Sequence, residues 1–318
     1  MKIVVLDGYT LNPGDNPWDP VVSCGTLTVY DRSAPEEVVE RAREAEIVLT
    51  NKTSLRADTI RALPNLKYIG VLATGYDVID VEAAKEAGIV VSNVPVYGTD
   101  SVAEYVFALV LNHFRQPAYH YELVRTGAWS EAGDFSFWRT PLAELAGKTI
   151  GIVGFGRIGQ RVGEIAHVLG MNVLAYDVVR SGDPAFEFRW SGLEQLAGES
   201  DVLTLHCKQT AENAGMINFD LLSKMKSSAL FVNTARGGLV VEHDLARALN
   251  DGVIGGAAVD VVSSEPIRDD NPLLSARNIV ITPHIAWASV EARMRLMETT
   301  AENIRAFQAG KPQNVVNV

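Results

Sequence analysis

The run Ile150-Gly151-Ile152-Val153-Gly154-Phe155-Gly156-Arg157-Ile158-Gly159 passes from an apolar strand through three spaced glycines into a helix-forming segment. A G-x-G-x-x-G match gains meaning from this strand-before, helix-after setting. Gly154 permits a tight turn, Gly156 lets a backbone approach a pyrophosphate, and Gly159 lets the helix pack closely on the strand. The N–H groups and positive dipole end of the helix starting near Arg157 and Ile158 suit a bound phosphate. The next apolar stretch ends in Ala175-Tyr176-Asp177. Asp177 stands about 20 residues beyond the glycines, where an acid bonds ribose hydroxyls and repels a 2′-phosphate. NAD is therefore expected ahead of NADP, although Arg180, three residues later, and Lys208 leave some room for NADP.

Outward from this motif, short apolar runs alternate with helix-like segments, which marks parallel α/β structure. Downstream, strands are predicted at Thr149–Val153, Asn172–Tyr176, Val202–His206, Ala229–Asn233, Gly256–Val259 and Ile279–Thr282, with helices at Ile158–Leu169 and Val290–Ala309. Upstream, strands are predicted at Ile3–Leu6, Ile47–Thr50, Tyr68–Leu72 and Val90–Ser92. The helices between them are Glu36–Ala45, Ala57–Leu63 and Val81–Ala87, the last ended by Gly88. A long apolar helix is expected from Ser101 to Phe114. The aperiodic segment Gly127–Leu142 concentrates Trp129, Phe135, Phe137 and Trp138, as a covered surface would.

The chain has 318 residues, room for two domains, with 47% hydrophobic and 21% charged residues. Its net charge of −11 and lack of basic runs argue against nucleic acid. No apolar run reaches the roughly 20 residues of a membrane span, and the N-terminal run is too short for a signal peptide. Cys24 and Cys207 are far apart and lack metal-ligand spacing, so reduced thiols, no metal and a cytoplasmic location are expected.

Three polar groups lie at or just beyond predicted strand ends, the positions that border ligand crevices in open α/β sheets. Arg236, in Asn233-Thr234-Ala235-Arg236-Gly237-Gly238, can clamp a carboxylate with two parallel bonds. Glu265 lies in Ser263-Ser264-Glu265-Pro266, and His284 in Thr282-Pro283-His284-Ile285-Ala286-Trp287. Imidazole exchanges protons near neutral pH, and a neighbouring carboxylate fixes its tautomer and favours its charged form. Each residue alone reads more readily as structural; the set carries the case.

Taken in order, Gly154–Gly159, Asp177, Asn233–Gly238, Asp260, Glu265-Pro266 and Pro283-His284 resemble the D-isomer-specific 2-hydroxyacid dehydrogenase family. Leu72-Ala73-Thr74-Gly75 and Ser101-Val102-Ala103-Glu104 extend the likeness over nearly the whole chain. Phe137-Trp138 and His284–Ser289 resemble most the glycerate dehydrogenase, or hydroxypyruvate reductase, branch. The resemblance implies an α/β chain with two open parallel-sheet domains. A Rossmann dinucleotide-binding domain (100–285) would be inserted into a flavodoxin-like substrate domain (1–99 and 286–318). It also implies a homodimer. Residue by residue, it implies that Arg236 and the backbone of Thr74 and Gly75 hold the substrate carboxylate, with His284 also at the substrate. Arg157 and Ile158 would meet the pyrophosphate. Thr234, Ala235, Asp260, His284 and Ala286 would face the nicotinamide end of the cofactor, with Arg236 beside them, and Cys207 and Thr210 would complete its pocket. The chain departs from the family at Lys208, where a proline is usual.

The reaction so implied is hydride transfer between NAD(H) and a small D-2-hydroxy or 2-oxo acid, hydroxypyruvate or glyoxylate first. His284 would be the acid/base, oriented by Glu265, with domain closure excluding water. D-Lactate and 3-phosphoglycerate are alternative substrates; the latter would want further basic groups and often comes with a regulatory domain. Formate dehydrogenases would carry Gln at the place of Glu265. A rival of another class is a non-catalytic NAD-sensing protein like the corepressors that share this fold. That rival would need none of the three chemical residues.

Overall fold

The computed structural model describes residues 1–182 and 184–318, and the chain divides into two compact units. One comprises Met1–Gly98 with Trp287–Val318, the other Thr99–Ala286.

In the first unit, β1 (Lys2–Val5), β2 (Thr26–Val29), β3 (Ile47–Thr50), β4 (Tyr68–Val71) and β5 (Val90–Ser92) form a parallel sheet ordered β2-β1-β3-β4-β5. Successive strand residues point to opposite faces, and both faces are apolar because helices cover each. Val4, Val48, Ile69 and Val71 pack on one side, with Ala83 and Ala84 of the helix Val81–Glu86. Ile3, Val5, Ile47, Leu49 and Tyr68 pack on the other. That second face is covered by Ala292, Leu296, Met297, Ala301 and Ile304 of the helix Val290–Gln308, so the C-terminus returns to the first sheet.

The second unit holds β6 (Thr149–Val153), β7 (Asn172–Tyr176), β8 (Arg189–Trp190), β9 (Val202–Leu205), β10 (Leu230–Asn233), β11 (Gly256–Val259) and β12 (Ile279–Ile281). They form one parallel sheet, ordered β12-β11-β10-β9-β6-β7-β8. Ile150, Ile152, Val202, Leu230, Val232 and Ala258 face a core shared with the helices Thr99–Arg115 and Arg157–Val168. Val153, Leu203, Leu205, Phe231, Ala257 and Val259 face the opposite core, under the helices Leu193–Glu199 and Glu242–Asn250. The strand order reverses between β6 and β9, the topological switch point where such sheets bind ligands.

Most predicted elements occur within a residue or two of their expected bounds. β2 and β8 were not anticipated, nor were the helices Asp19–Val22, Pro117–Arg125, Leu193–Glu199, Phe219–Leu222 and Glu242–Asn250. The segment expected as one helix over Glu36–Ala45 is a short 3₁₀ turn, Pro35–Glu37, running into the helix Val38–Ala42. Pro35 fixes a first-turn geometry that the following residues complete over barely two turns. Residues 127–142 contain no regular helix or strand, as expected.

Candidate active site

Strand register sets the site. Val153 pairs with Tyr176 and Leu205, Leu205 with Asn233, Asn233 with Val259, and Val259 with Ile281. The residues that immediately follow this row are Gly154, Asp177, His206, Thr234, Asp260 and Thr282. Residues distant in the chain thus leave one sheet along one carboxyl-end edge.

The glycine turn at this edge fits a dinucleotide. Gly154 adopts φ +93°, and a Cβ there would lie 2.4 Å from the Cys207 backbone nitrogen across the switch point. At Gly159 a Cβ would come within 2.1 Å of the Gly154 carbonyl oxygen, so the helix can seat against the turn only without a side chain. Nothing stands within 4 Å of a Cβ at Gly156, which caps the helix begun by Arg157 and Ile158. This is open backbone before a helix N-terminus, the cradle a pyrophosphate needs. The Asp177 carboxylate braces the same turn, accepting from the amides of Phe155 (2.7 Å) and Val179 (3.3 Å). Arg180 stacks its guanidinium 5.6 Å from the Trp190 ring. At the other end of the edge, Thr234 Oγ1 is buried and unpaired among the described residues, an orphan donor that a bound group would satisfy.

Beyond β9, burial drives the His206 pKa down to about 3 and pushes the Cys207 thiol up, so neither is poised for proton exchange at neutral pH. His206 Nε2 lies 3.0 Å from Thr204 Oγ1. The following loop folds onto Asn213, which accepts from the Thr210 amide and donates to the Lys208 carbonyl.

Arg236 follows β10 in extended backbone. Asn233 holds this turn from both ends, accepting from the Ala235 amide (3.0 Å) and donating to the Arg236 carbonyl (2.9 Å). The guanidinium donates back to the Ala235 carbonyl (2.7 Å). A Cβ on Gly237 would lie 1.9 Å from the Val262 carbonyl carbon, so the turn carrying Arg236 touches the loop that leads to Glu265. Glu242 pins that second loop, accepting from Ser263 N (2.7 Å), Ser263 Oγ (2.8 Å) and Asn271 Nδ2 (3.0 Å).

His284 comes from the third adjacent strand end. Its Nδ1 lies 2.7 Å from Glu265 Oε2, and the two side chains are 24% and 34% exposed. Nδ1 is the ring nitrogen that faces Glu265, and Nε2 is the other. His284 itself is left-handed, φ +55°. The Asp260 carboxylate, 1% exposed, accepts from Thr282 Oγ1, Ile285 N and Ala286 N, so it serves the segment around His284. Among the described residues no three His, Cys, Asp or Glu side chains gather as metal ligands would.

In the first unit, Thr74 and Gly75 follow β4. The Thr74 hydroxyl donates to Val94 O (3.0 Å) and its carbonyl accepts from Asn93 Nδ2 (2.7 Å), which ties this loop to the segment after β5.

Asn233, Glu242, Thr282 and Ser101 were not singled out as site residues in the sequence. Thr282 and Asn233 had a signal, each being a polar residue at a strand end. Glu242 had none, because its partners are set by tertiary packing.

Comparison with known proteins gives the family. Residues 107–286 match the family described as D-isomer specific 2-hydroxyacid dehydrogenase, NAD binding domain. The chain is 48% identical to a hydroxypyruvate reductase of Blautia hydrogenotrophica, covering 100% of each chain. It is 46% identical to a glycerate dehydrogenase of Methylorubrum extorquens over 89% of this chain and 88% of that one. Among solved structures, a D-lactate dehydrogenase from Aquifex aeolicus complexed with NAD and lactic acid superposes with a TM-score of 0.83. The two are 29% identical over 100% of this chain and 99% of the other. With its NAD-binding domain matched and its whole length covered by such relatives, the chain belongs to the D-isomer-specific 2-hydroxyacid dehydrogenases, oxidoreductases that act on the CH–OH group of their donors.

Proposed function

We propose that this dehydrogenase reduces hydroxypyruvate or glyoxylate to the corresponding 2-hydroxy acid with NADH, using His284, Glu265 and Arg236. The observation that carries the reading is the 2.7 Å contact between His284 Nδ1 and Glu265 Oε2 on loops next to Arg236. The nicotinamide, when bound, supplies the hydride to the carbonyl carbon. His284 gives a proton from Nε2 to the carbonyl oxygen, so the carbonyl becomes a hydroxyl; acid–base help of this kind typically contributes about 10²- to 10⁴-fold. Glu265 fixes the ring's orientation and stabilises its positive charge. Arg236 binds the substrate carboxylate and polarises the carbonyl, and the amides of Thr74 and Gly75 hold that carboxylate as well.

Gly154, Gly156, Gly159, Arg157 and Ile158 would seat the pyrophosphate. Thr234, Ala235, Asp260 and Ala286 would line the nicotinamide side, with Cys207 and Thr210 toward the adenosine. NAD is favoured over NADP because Asp177 stands at the end of β7 and Arg180 is stacked on Trp190. Substrate choice follows the relatives named hydroxypyruvate reductase and glycerate dehydrogenase. The first unit would be the substrate domain. A homodimer would cover Phe135 and Trp138, 92% and 62% exposed in the single chain. No described helix is long and apolar enough to cross a membrane, and the site is read as working in the cytoplasm.

Steady-state rates for hydroxypyruvate, glyoxylate, pyruvate and a bulky 2-oxo acid, each with NADH and NADPH, test the assignment. The expected order puts hydroxypyruvate or glyoxylate with NADH highest in kcat/KM. A clear preference for the bulky acid or for NADPH would refute it.

A further inference from the structure

We propose that the Asp260–Thr282 pair is a positioning device for His284, and that the Thr282 hydroxyl tunes proton transfer without touching the reactants. The inference rests on the reading of His284 as the acid/base.

His284 has φ +55°, a backbone state that a residue with a Cβ keeps only when its surroundings hold it there. Asp260 provides the hold. Its carbonyl accepts from the His284 amide at 2.8 Å. One carboxylate oxygen accepts from Thr282 Oγ1 at 2.6 Å and from Ile285 N at 2.9 Å, and the other accepts from Ala286 N at 2.8 Å. Four of the five residues from Thr282 to Ala286 thus bond to Asp260, and the exception, Pro283, has no N–H to give. From the other side, Ser101 Oγ, on the helix Thr99–Arg115, donates to the Ala286 carbonyl at 2.7 Å. Both anchors are buried, Asp260 at 1% and Ser101 at 8% exposure.

The clamp fixes the direction of the His284 Cα–Cβ bond and hence where the ring meets Glu265. Misplacing a reacting group by about 1 Å can cost on the order of 10²-fold in rate. Of the four bonds to Asp260 from this segment, three come from main-chain N–H groups that no substitution short of proline removes. The fourth is the Thr282 hydroxyl, which makes Thr282 the one residue of this segment whose side chain bonds to Asp260. It also separates positioning from cofactor contact, because Asp260 is itself expected beside the nicotinamide and Thr282 is not.

The test uses Thr282→Val, Thr282→Ser and Ser101→Ala in the full chain, with hydroxypyruvate as substrate and His284→Gln as control. The readouts are kcat, KM, the NADH dissociation constant by fluorescence, and the solvent deuterium isotope effect on kcat. Thr282→Val should lower kcat about 10- to 100-fold. NADH affinity and substrate KM should stay within about twofold, and the isotope effect should rise as proton transfer becomes limiting. Thr282→Ser should restore kcat to within about threefold, and Ser101→Ala should lower it in the same pattern but less. The proposal is overturned by unchanged kcat in Thr282→Val, by a loss that tracks NADH affinity alone, or by Thr282→Ser behaving as Thr282→Val. If Thr282→Val does not fold, an unchanged kcat and isotope effect in Ser101→Ala overturn it. Full turnover in His284→Gln would remove the acid–base reading itself, whereas a dead His284→Gln beside a normal Thr282→Val removes the clamp alone.

Discussion

Glu265 and His284 meet at 2.7 Å with both side chains part-exposed, so the carboxylate orients the ring where water still competes. Charge and geometry can then be separated by substitution. Glu265→Gln keeps an acceptor for Nδ1 and loses the charge; Glu265→Ala loses both. Turnover should fall in that order, about tenfold or more for the first and further for the second, with NADH affinity nearly unchanged. Stopped-flow or steady-state kcat beside an NADH titration checks this, and equal losses in the two variants would mean that the charge alone matters. At this scale the sequence made placement legible: Arg236, Glu265 and His284 each lie in the loop that follows an apolar strand, the positions that border ligand crevices in α/β sheets. What it hid were the holders. Glu242 bonds to a loop 21 residues on, and no periodicity connects them.

Among elements, the glycine turn and its helix form the unit with the least tolerance. Gly159→Ala would drive a Cβ to 2.1 Å from the Gly154 carbonyl, a backbone atom that cannot swing aside. The helix must shift off β6, at a cost of about 1–3 kcal/mol. A lower melting temperature together with an NADH dissociation constant raised at least tenfold is the expected result, read by calorimetry and fluorescence titration. Buried parallel strands such as Ile47–Thr50 and Val202–Leu205 were legible because both faces are apolar, giving continuous runs. β2 escaped because Thr26–Val29 is a short edge strand of alternating exposure, and β8 because two residues carry no pattern. The helix Pro117–Arg125 buries none of its residues, so no core face of the chain answers to it.

For the whole molecule, burial makes stability depend on pH. The folded state holds His206 with a pKa near 3 against an ordinary 6.5, and lowers His113 in the same direction by burial. Between those values the unfolded chain binds protons that the folded chain refuses. Stability therefore rises with pH through this window and falls as pH drops below about 6.5. The melting temperature should decline steadily from pH 7 toward pH 4, and His206→Gln, if folded, should flatten that decline; an unaltered slope would contradict the assignment. The return of the C-terminal helix to the first sheet is invisible to periodicity. After β12 it reads as one more amphipathic helix, and only the packing of Leu296, Met297 and Ile304 against β1, β3 and β4 places it there. In the sequence that connection was an expectation drawn from resemblance to a family, not from pattern.

The most direct measurement is NADH oxidation by a folded His284→Ala protein with hydroxypyruvate, compared with wild type at saturating cofactor and substrate. Loss of about 10²- to 10⁴-fold in kcat, with native circular dichroism and NADH affinity within about twofold, is what the proposed chemistry requires. Near-normal turnover from that folded variant would contradict it.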